Sequence, residues 1–228
     1  MMVNVKDFDQ SVVPQPTQSQ DKLALIFNRQ RELMEKYRKI EHDNGFKVIH
    51  PDAMDLNSRH AQHLLKDYAW RVTEELTEAT QALDEHPDEP LHFDEELADA
   101  YHFLVELMIL TGTEFKLPEQ TTLIKLDRLD DMFQHRVFTA LALAREVEVE
   151  ELVYKVIQHI GNAMNCLKNK PWKTTHMLTD EELFHTEILE AHQMFINLLD
   201  YLDWKSDKLM DLYFRKARVN QFRQESNY

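Results

Sequence analysis

Residues 71–110 read RVTEELTEATQALDEHPDEPLHFDEELADAYHFLVELMIL, and the reading of this stretch decides the fold. One small pattern occurs in it twice, Glu75-x-x-Glu78 and Glu96-x-x-Asp99, on either side of a short acidic joint that bears Pro87 and Pro90. Residues three apart share a helix face, so each pair aims two carboxylates in one direction. Beside them run apolar stripes: Val72, Leu76, Ala79 and Leu83 on the first segment, Leu97, Ala100, Leu104 and Met108 on the second. Two such helices joined by a short loop bury those stripes by packing antiparallel. Their carboxylates then face each other across the seam. Four clustered carboxylates repel strongly unless cations sit among them. An all-oxygen donor set of this kind suits a hard divalent ion such as Mg²⁺.

The rest of the chain agrees with a helical reading. Of its 228 residues 43% are hydrophobic, enough for a real core, and it has only three glycines and seven prolines. Nearly all of these fall between periodic segments, which predicts an all-α protein. Gly161 alone sits inside a helical pattern, where it is expected to let two helices approach closely. The net charge of −15 argues against a generic nucleic-acid binder, which needs a basic face. It leaves a phosphorylated small molecule open, because bound metal reverses the local sign. A single cysteine, Cys166, provides no disulfide framework and fits a reducing compartment. There is no signal-peptide pattern and no apolar run of membrane-spanning length. The expectation is a cytoplasmic protein with neither membrane nor nucleic acid as partner.

Residues 1–20 are polar and broken by Pro14 and Pro16, and read as an N-terminal arm or extended lead-in. Residues 21–228 read as one all-α domain. A helix from Asp21 ends at Gly45. Asn57 or Ser58 caps the next one, which opens a hairpin over about 57–112. A connecting helical region covers about 120–146. A second hairpin follows over about 149–203, with Thr179-x-x-Glu182 as a capping box for its second helix. A terminal helix and tail cover about 206–228. The second hairpin resembles the first. Glu75, Glu78, Ala79, Leu83 and Pro87 align with His159, Asn162, Ala163, Leu167 and Pro171 at a constant offset of 84, and Glu96, Asp99 and Ala100 with Glu187, Glu190 and Ala191 at 91. The extra residues fall in the loop, where insertion costs little. Only the first hairpin keeps four carboxylates. Helical hairpins of similar periodicity also resemble one another without any duplication.

The double acidic pattern resembles the all-α nucleoside triphosphate pyrophosphatase superfamily, which includes MazG-type enzymes and the dimeric dUTPases. The last segment, LYFRKARVNQFRQESNY, resembles the end of dimeric dUTPases and of the related dCTP/dUTP pyrophosphatases of large lytic phages. Lys216, Asn220, Arg223, Gln224 and Tyr228 match that segment, and Asn227 stands where the family usually has Gly. The resemblance implies an enzyme that converts a deoxynucleoside triphosphate and water to the monophosphate and pyrophosphate. It implies that Glu75, Glu78, Glu96 and Asp99 are the catalytic residues and hold two or three Mg²⁺ ions, with Mn²⁺ able to substitute. It assigns phosphate contacts to Lys216, Asn220, Arg223 and Tyr228. A Gln on the first helix contacts the pyrimidine in these families, and Gln30 is the positional match. His102, in Asp99-x-x-His102-Phe103, is either a base contact or a satisfied core histidine. Trp70 is either a stacking partner for a base or core. Lys170-Pro171-Trp172-Lys173 resembles a W-K segment that the family carries between its acidic pairs. Here it lies in the second hairpin, so Lys173 is either a phosphate contact shared between halves or part of a basic surface loop. Glu74 and Glu95 are either helpers of the metal pairs or solvated surface charge.

dUTP leads as substrate because the C-terminal segment is nearest to dimeric dUTPases, and dCTP, dTTP or a purine triphosphate remain open. Family members dimerise, so a homodimer is expected, in the host cytoplasm if the chain is viral. Two competitors stand beside this reading. A di-metal redox bundle needs Glu-x-x-His on two helices, and only Glu182-x-x-His185 falls on a helical segment, at its start. A non-catalytic helical interaction protein would have no use for four intact carboxylates.

Overall fold

The computed structural model describes residues 3–15, 21–85, 88–117, 128–134 and 147–226. Among these it contains seven α-helices and no strand: α1 Lys22–Asp43, α2 Arg59–Glu85, α3 Pro90–Thr111, α4 Arg128–Gln134, α5 Val149–Cys166, α6 Glu181–Tyr201 and α7 Ser206–Glu225. The expected all-α bundle is the observed one. No helix among the described residues is long and apolar enough to cross a membrane.

The helix ends follow local chemistry. Asp21 caps α1, its side chain accepting from the Leu23 amide at 2.9 Å. Pro90 occupies the first turn of α3, where its missing N–H costs nothing. Gly112 ends α3 with φ 67, a left-handed conformation that glycine adopts without a Cβ penalty. The expected capping box at Thr179 is displaced by one residue. Asp180 caps α6 by accepting from the Leu183 amide at 3.1 Å. The Thr179 hydroxyl instead donates to the Leu56 carbonyl at 2.7 Å and accepts from Gln62 at 3.1 Å.

Two hairpins, α2–α3 and α5–α6, supply much of the core. Val72, Leu76, Ala79, Leu97, Ala100, Leu104 and Met108 are all fully buried, as the stripes predict. Each buried Leu or Val side chain contributes about 1.5–3 kcal/mol. Helices α1 and α7 pack on α3 and on each other, which closes one face of the first hairpin. Residues 3–15, expected as an arm, form two 3₁₀ turns at Val5–Asp7 and Gln10–Val12 that contact α7, and Val5 is fully buried there. Gly161 does not serve a close approach: it is exposed, and a Cβ built on it meets nothing within 4 Å.

Candidate functional site

Three of the four carboxylates in the acidic pairs of α2 and α3 meet. One carboxylate oxygen from each of Glu75, Glu78 and Glu96 lies within 4.8 Å of the others. Glu78 is exposed, Glu75 half-buried and Glu96 buried. Burial pushes the Glu75 carboxyl up to about 8, and the charges of Asp99, Glu96 and Glu78 add to the effect. Glu96 is raised by burial as well, with Lys216 opposing. Crowded carboxyl oxygens that can exchange a proton for a metal ion are a donor set that fits a hard divalent cation. Helix α7 delivers a counter-charge: Lys216 Nζ lies 2.9 Å from Asp99 Oδ2 and 3.4 Å from Glu95 Oε2. Lys216 is buried to 4% exposure, yet Asp99, Glu95 and Glu96 outweigh the desolvation and hold its ammonium above the ordinary value. Burial raises Asp99 in turn, opposed by Lys216, Arg223 and Asn220.

Beside this cluster opens a cavity of about 280 Å³ between α1, α2, α3 and α7. Glu75, Asp99, Asn220 and Arg223 line it at the acidic end. Gln30, Tyr37, Tyr68, Arg71, His102 and Glu106 supply most of the remaining polar wall. Gln30 is a hub, buried to 2% exposure. Its amide nitrogen donates to Glu106 Oε2 at 3.1 Å, and its amide oxygen accepts from the Tyr213 hydroxyl at 2.7 Å and lies 2.9 Å from His102 Nδ1. His102 Nε2 lies 3.1 Å from the Tyr213 carbonyl, and the His102 ring stacks on Tyr213 with centroids 3.8 Å apart. Burial pushes His102 down to about 3, so the imidazole is neutral. A neutral ring cannot donate to two oxygens. Turning the Gln30 amide over puts its NH₂ on Nδ1 and its carbonyl on Glu106, which then donates as a neutral acid. Burial does push Glu106 up to about 7, with Glu41 adding to the rise and Arg71, Tyr68 and Gln30 opposing it.

The other expected site residues fall into two groups. Gln30, His102, Asn220 and Arg223 are brought to the cavity with the acidic cluster, and Lys216 to the cluster itself. Trp70 and Lys173 are not. Trp70 is 61% exposed, so it is not core, and its indole N–H donates to Glu74 at 2.6 Å. Lys173 is exposed, in a loop tied to the first half of α2 and to the residues before it. Lys66 Nζ donates to the Leu167 carbonyl at 2.8 Å, and the Asn169 amide donates to Gln62 Oε1 at 2.7 Å. Tyr228 lies outside the described residues. Glu74 is exposed, as solvated charge is, whereas Glu95 pairs with Lys216. His185 of the Glu182-x-x-His185 motif is buried against Thr113 at 2.8 Å while Glu182 is exposed, so the two do not form one site. Sequence reasoning missed Glu106, Tyr68, Arg71 and Tyr213. The one signal for Glu106 was a lone charge inside the apolar run FLVELMIL.

A family model described as dUTPase matches residues 82–228. The chain belongs to the dUTPase family. The match opens near the end of α2, so Glu75 and Glu78 precede it, while Glu96, Asp99 and all of α7 lie within the dUTPase-matched stretch. No curated protein and no solved structure matches the chain.

Proposed function

We propose that this dUTPase-family chain is a Mg²⁺-dependent diphosphatase that hydrolyses dUTP to dUMP and pyrophosphate and so controls the nucleotide pool. The observation that carries the reading is a single cavity with crowded carboxylates at one end and a buried, hydrogen-bonded polar wall at the other. Glu75, Glu78, Glu96 and Asp99 would hold the metal, which when bound draws charge from the phosphate oxygens and lowers the pKa of a water. Arg223 offers a planar fork to the phosphates, and Asn220 a neutral hydrogen bond. Lys216 keeps the acidic cluster from carrying its full negative charge towards an anionic substrate. In the reaction a water oxygen bonds to the α-phosphorus, the bond from that phosphorus to the bridging oxygen breaks, and pyrophosphate leaves. The proton lost by the water passes to the carboxylate cluster. Gln30 and His102 hold the base in the buried wall.

The MazG-like and phage-type affinities belong to this proposal, as do a cytoplasmic site of action and a homodimer. Large apolar side chains stand exposed at Phe46, Phe115, Trp172 and Leu178, surface that a second copy can cover. A monomeric mass by light scattering overturns the dimer. The reaction is tested by incubating the protein with each deoxynucleoside triphosphate and Mg²⁺. Pyrophosphate release with dUTP fastest is the expected outcome, and release of single phosphate instead overturns the reaction class.

A further inference from the structure

Lys66, Lys168 and Lys170 gather on the far side of α2 from the acidic cluster. Lys66 lies nine residues before Glu75, about two and a half helical turns, so the two side chains leave α2 on opposite faces. Lys168 and Lys170 come from the loop between α5 and α6. The residue between them fixes that loop in place. Asn169 is buried to 1% exposure, and its amide nitrogen donates to the Asn57 and Met177 carbonyls at 2.9 and 2.7 Å. Its amide oxygen accepts from the Met177 backbone N–H at 2.8 Å. Further along the loop, Arg59 donates to the Thr174 and Thr175 carbonyls, each at 3.2 Å. Lys66 is half-buried beneath it and held by its bond to the Leu167 carbonyl. We propose that Lys66, Lys168 and Lys170 form a second anion site, apart from the catalytic cavity, that takes the diphosphate group of inorganic pyrophosphate or of a nucleoside diphosphate. The site does not depend on the reaction proposed above.

Like charges are crowded here in a chain that is otherwise strongly acidic. Burial, then the charges of Lys170 and Lys168, push the Lys66 ammonium down to about 8. Residues 160–179 contain no acidic residue, although the net charge of the chain is −15. Asp67, next to Lys66 on α2, is engaged with Arg71 at 2.9 Å. The lysines are thus brought together by backbone and amide contacts and not by a counter-charge. Such a group offers an oxyanion several charged N–H donors at fixed positions, and the anion relieves their repulsion. Lys66 belongs to the first hairpin and Lys168 and Lys170 to the loop of the second, so a bound diphosphate bridges the two. Trp172 is 77% exposed, and Lys170 Nζ lies 6.0 Å from its ring centroid. Its open face can stack on a base, which would distinguish a nucleotide from the inorganic ion.

The test titrates the full chain with inorganic pyrophosphate and with ADP by calorimetry, in EDTA so that no metal recruits either ligand to the carboxylates. Potassium chloride at equal ionic strength is the control. Pyrophosphate at about 100 times its Kd is expected to raise the melting temperature by at least about 5 °C over that control. Lys66→Met and Lys170→Met are each expected to bind at least about tenfold more weakly. Lys170→Met keeps the bond from Lys66 to Leu167, so its loss of binding is read in a chain whose loop is still anchored. Equal affinities for the two ligands mark the inorganic ion as occupant. An ADP affinity at least about tenfold higher, abolished by Trp172→Ala, marks a nucleotide, and either result supports the site. Binding that survives in both lysine variants, or no binding beyond the chloride control, overturns it. Pyrophosphate release from dUTP by Lys170→Met is expected to stay within about twofold of the wild-type rate. A loss as large as that expected for a metal ligand would put these lysines in the catalytic site and overturn a separate one. Failure of the chain to hydrolyse any nucleotide sinks the diphosphatase reading and leaves the binding result standing.

Discussion

In the α2–α3 hairpin, Glu75, Glu78 and Glu96 bring their oxygens within 4.8 Å of one another, and the charges of Glu96 and Glu78 add to the burial that raises Glu75. In the α5–α6 hairpin the aligned positions hold His159, Asn162 and Glu187, and they also meet. There His159 Nδ1 lies 2.8 Å from Glu187 Oε2, and Asn162 donates to the same oxygen at 3.2 Å. Both hairpins use the same three-residue spacing to converge side chains at the seam. The second set contains donors as well as acceptors and satisfies itself. The first contains carboxyl groups alone, so it is costly to fold with all of them charged and ready to take a cation. The contrast is between a hairpin that closes its own polar cluster and one that keeps it open for a ligand.

The strongest way to break this contrast is to remove one group from each cluster. Glu75→Gln is expected to lower the rate of pyrophosphate release by at least about 100-fold. Glu187→Ala should leave that rate within about twofold and instead lower the melting temperature by about 4 °C, through its lost hydrogen bonds. Equal losses of activity in the two variants would mean that the second hairpin shares in the site.

A smaller effect separates the hairpins by pH. Glu75 holds its proton up to about 8 in the folded chain against an ordinary 4.5. Its contribution to stability is complete below that ordinary value and is lost as pH rises through about 8. With metal removed by EDTA, the melting temperature should therefore fall between about pH 5 and pH 8. Excess Mg²⁺ should restore it, more at pH 8 than at pH 6, since metal and proton compete for the same oxygens. Glu75→Gln should flatten the EDTA curve. A wild-type curve that is already flat removes the argument that the first cluster is strained.

The smallest effect concerns Gly161, which aligns with Thr77 of the first hairpin. Both positions are exposed on their helices. Since a Cβ at residue 161 meets nothing within 4 Å, Gly161→Ala should stabilise the chain by about 1 kcal/mol, a rise of about 2–4 °C in melting temperature, with activity unchanged. A loss of stability would reveal a close approach at that helix face.

Legibility in the sequence tracks how local each feature is. The hairpin seam could be read because the carboxylate pairs and their apolar stripes share one helical period. Asn220 and Arg223 could be placed near Asp99 only through the resemblance, since more than a hundred residues separate them. Thr179 misled because two adjacent residues, Thr179 and Asp180, both have capping side chains, and the choice fell to the one not already bonded to Leu56 and Gln62. Trp70 misled because a large aromatic beside an apolar stripe reads as core, while its indole in fact reaches out to Glu74. Glu106 looked like an interruption of an apolar run, and nothing nearby in the chain shows that Gln30, Tyr68 and Arg71 surround it.

By itself the sequence determined the helices, the two hairpins and the convergence of Glu75, Glu78 and Glu96, because periodicity and capping act within a few residues. Tertiary structure alone decided that Lys216 neutralises Asp99, that the loop bearing Lys173 docks on the early part of α2, and that Glu106 is buried on a cavity wall. Those outcomes depend on desolvation and on charges from distant helices, and neither quantity exists until α1, α2, α3 and α7 are packed together.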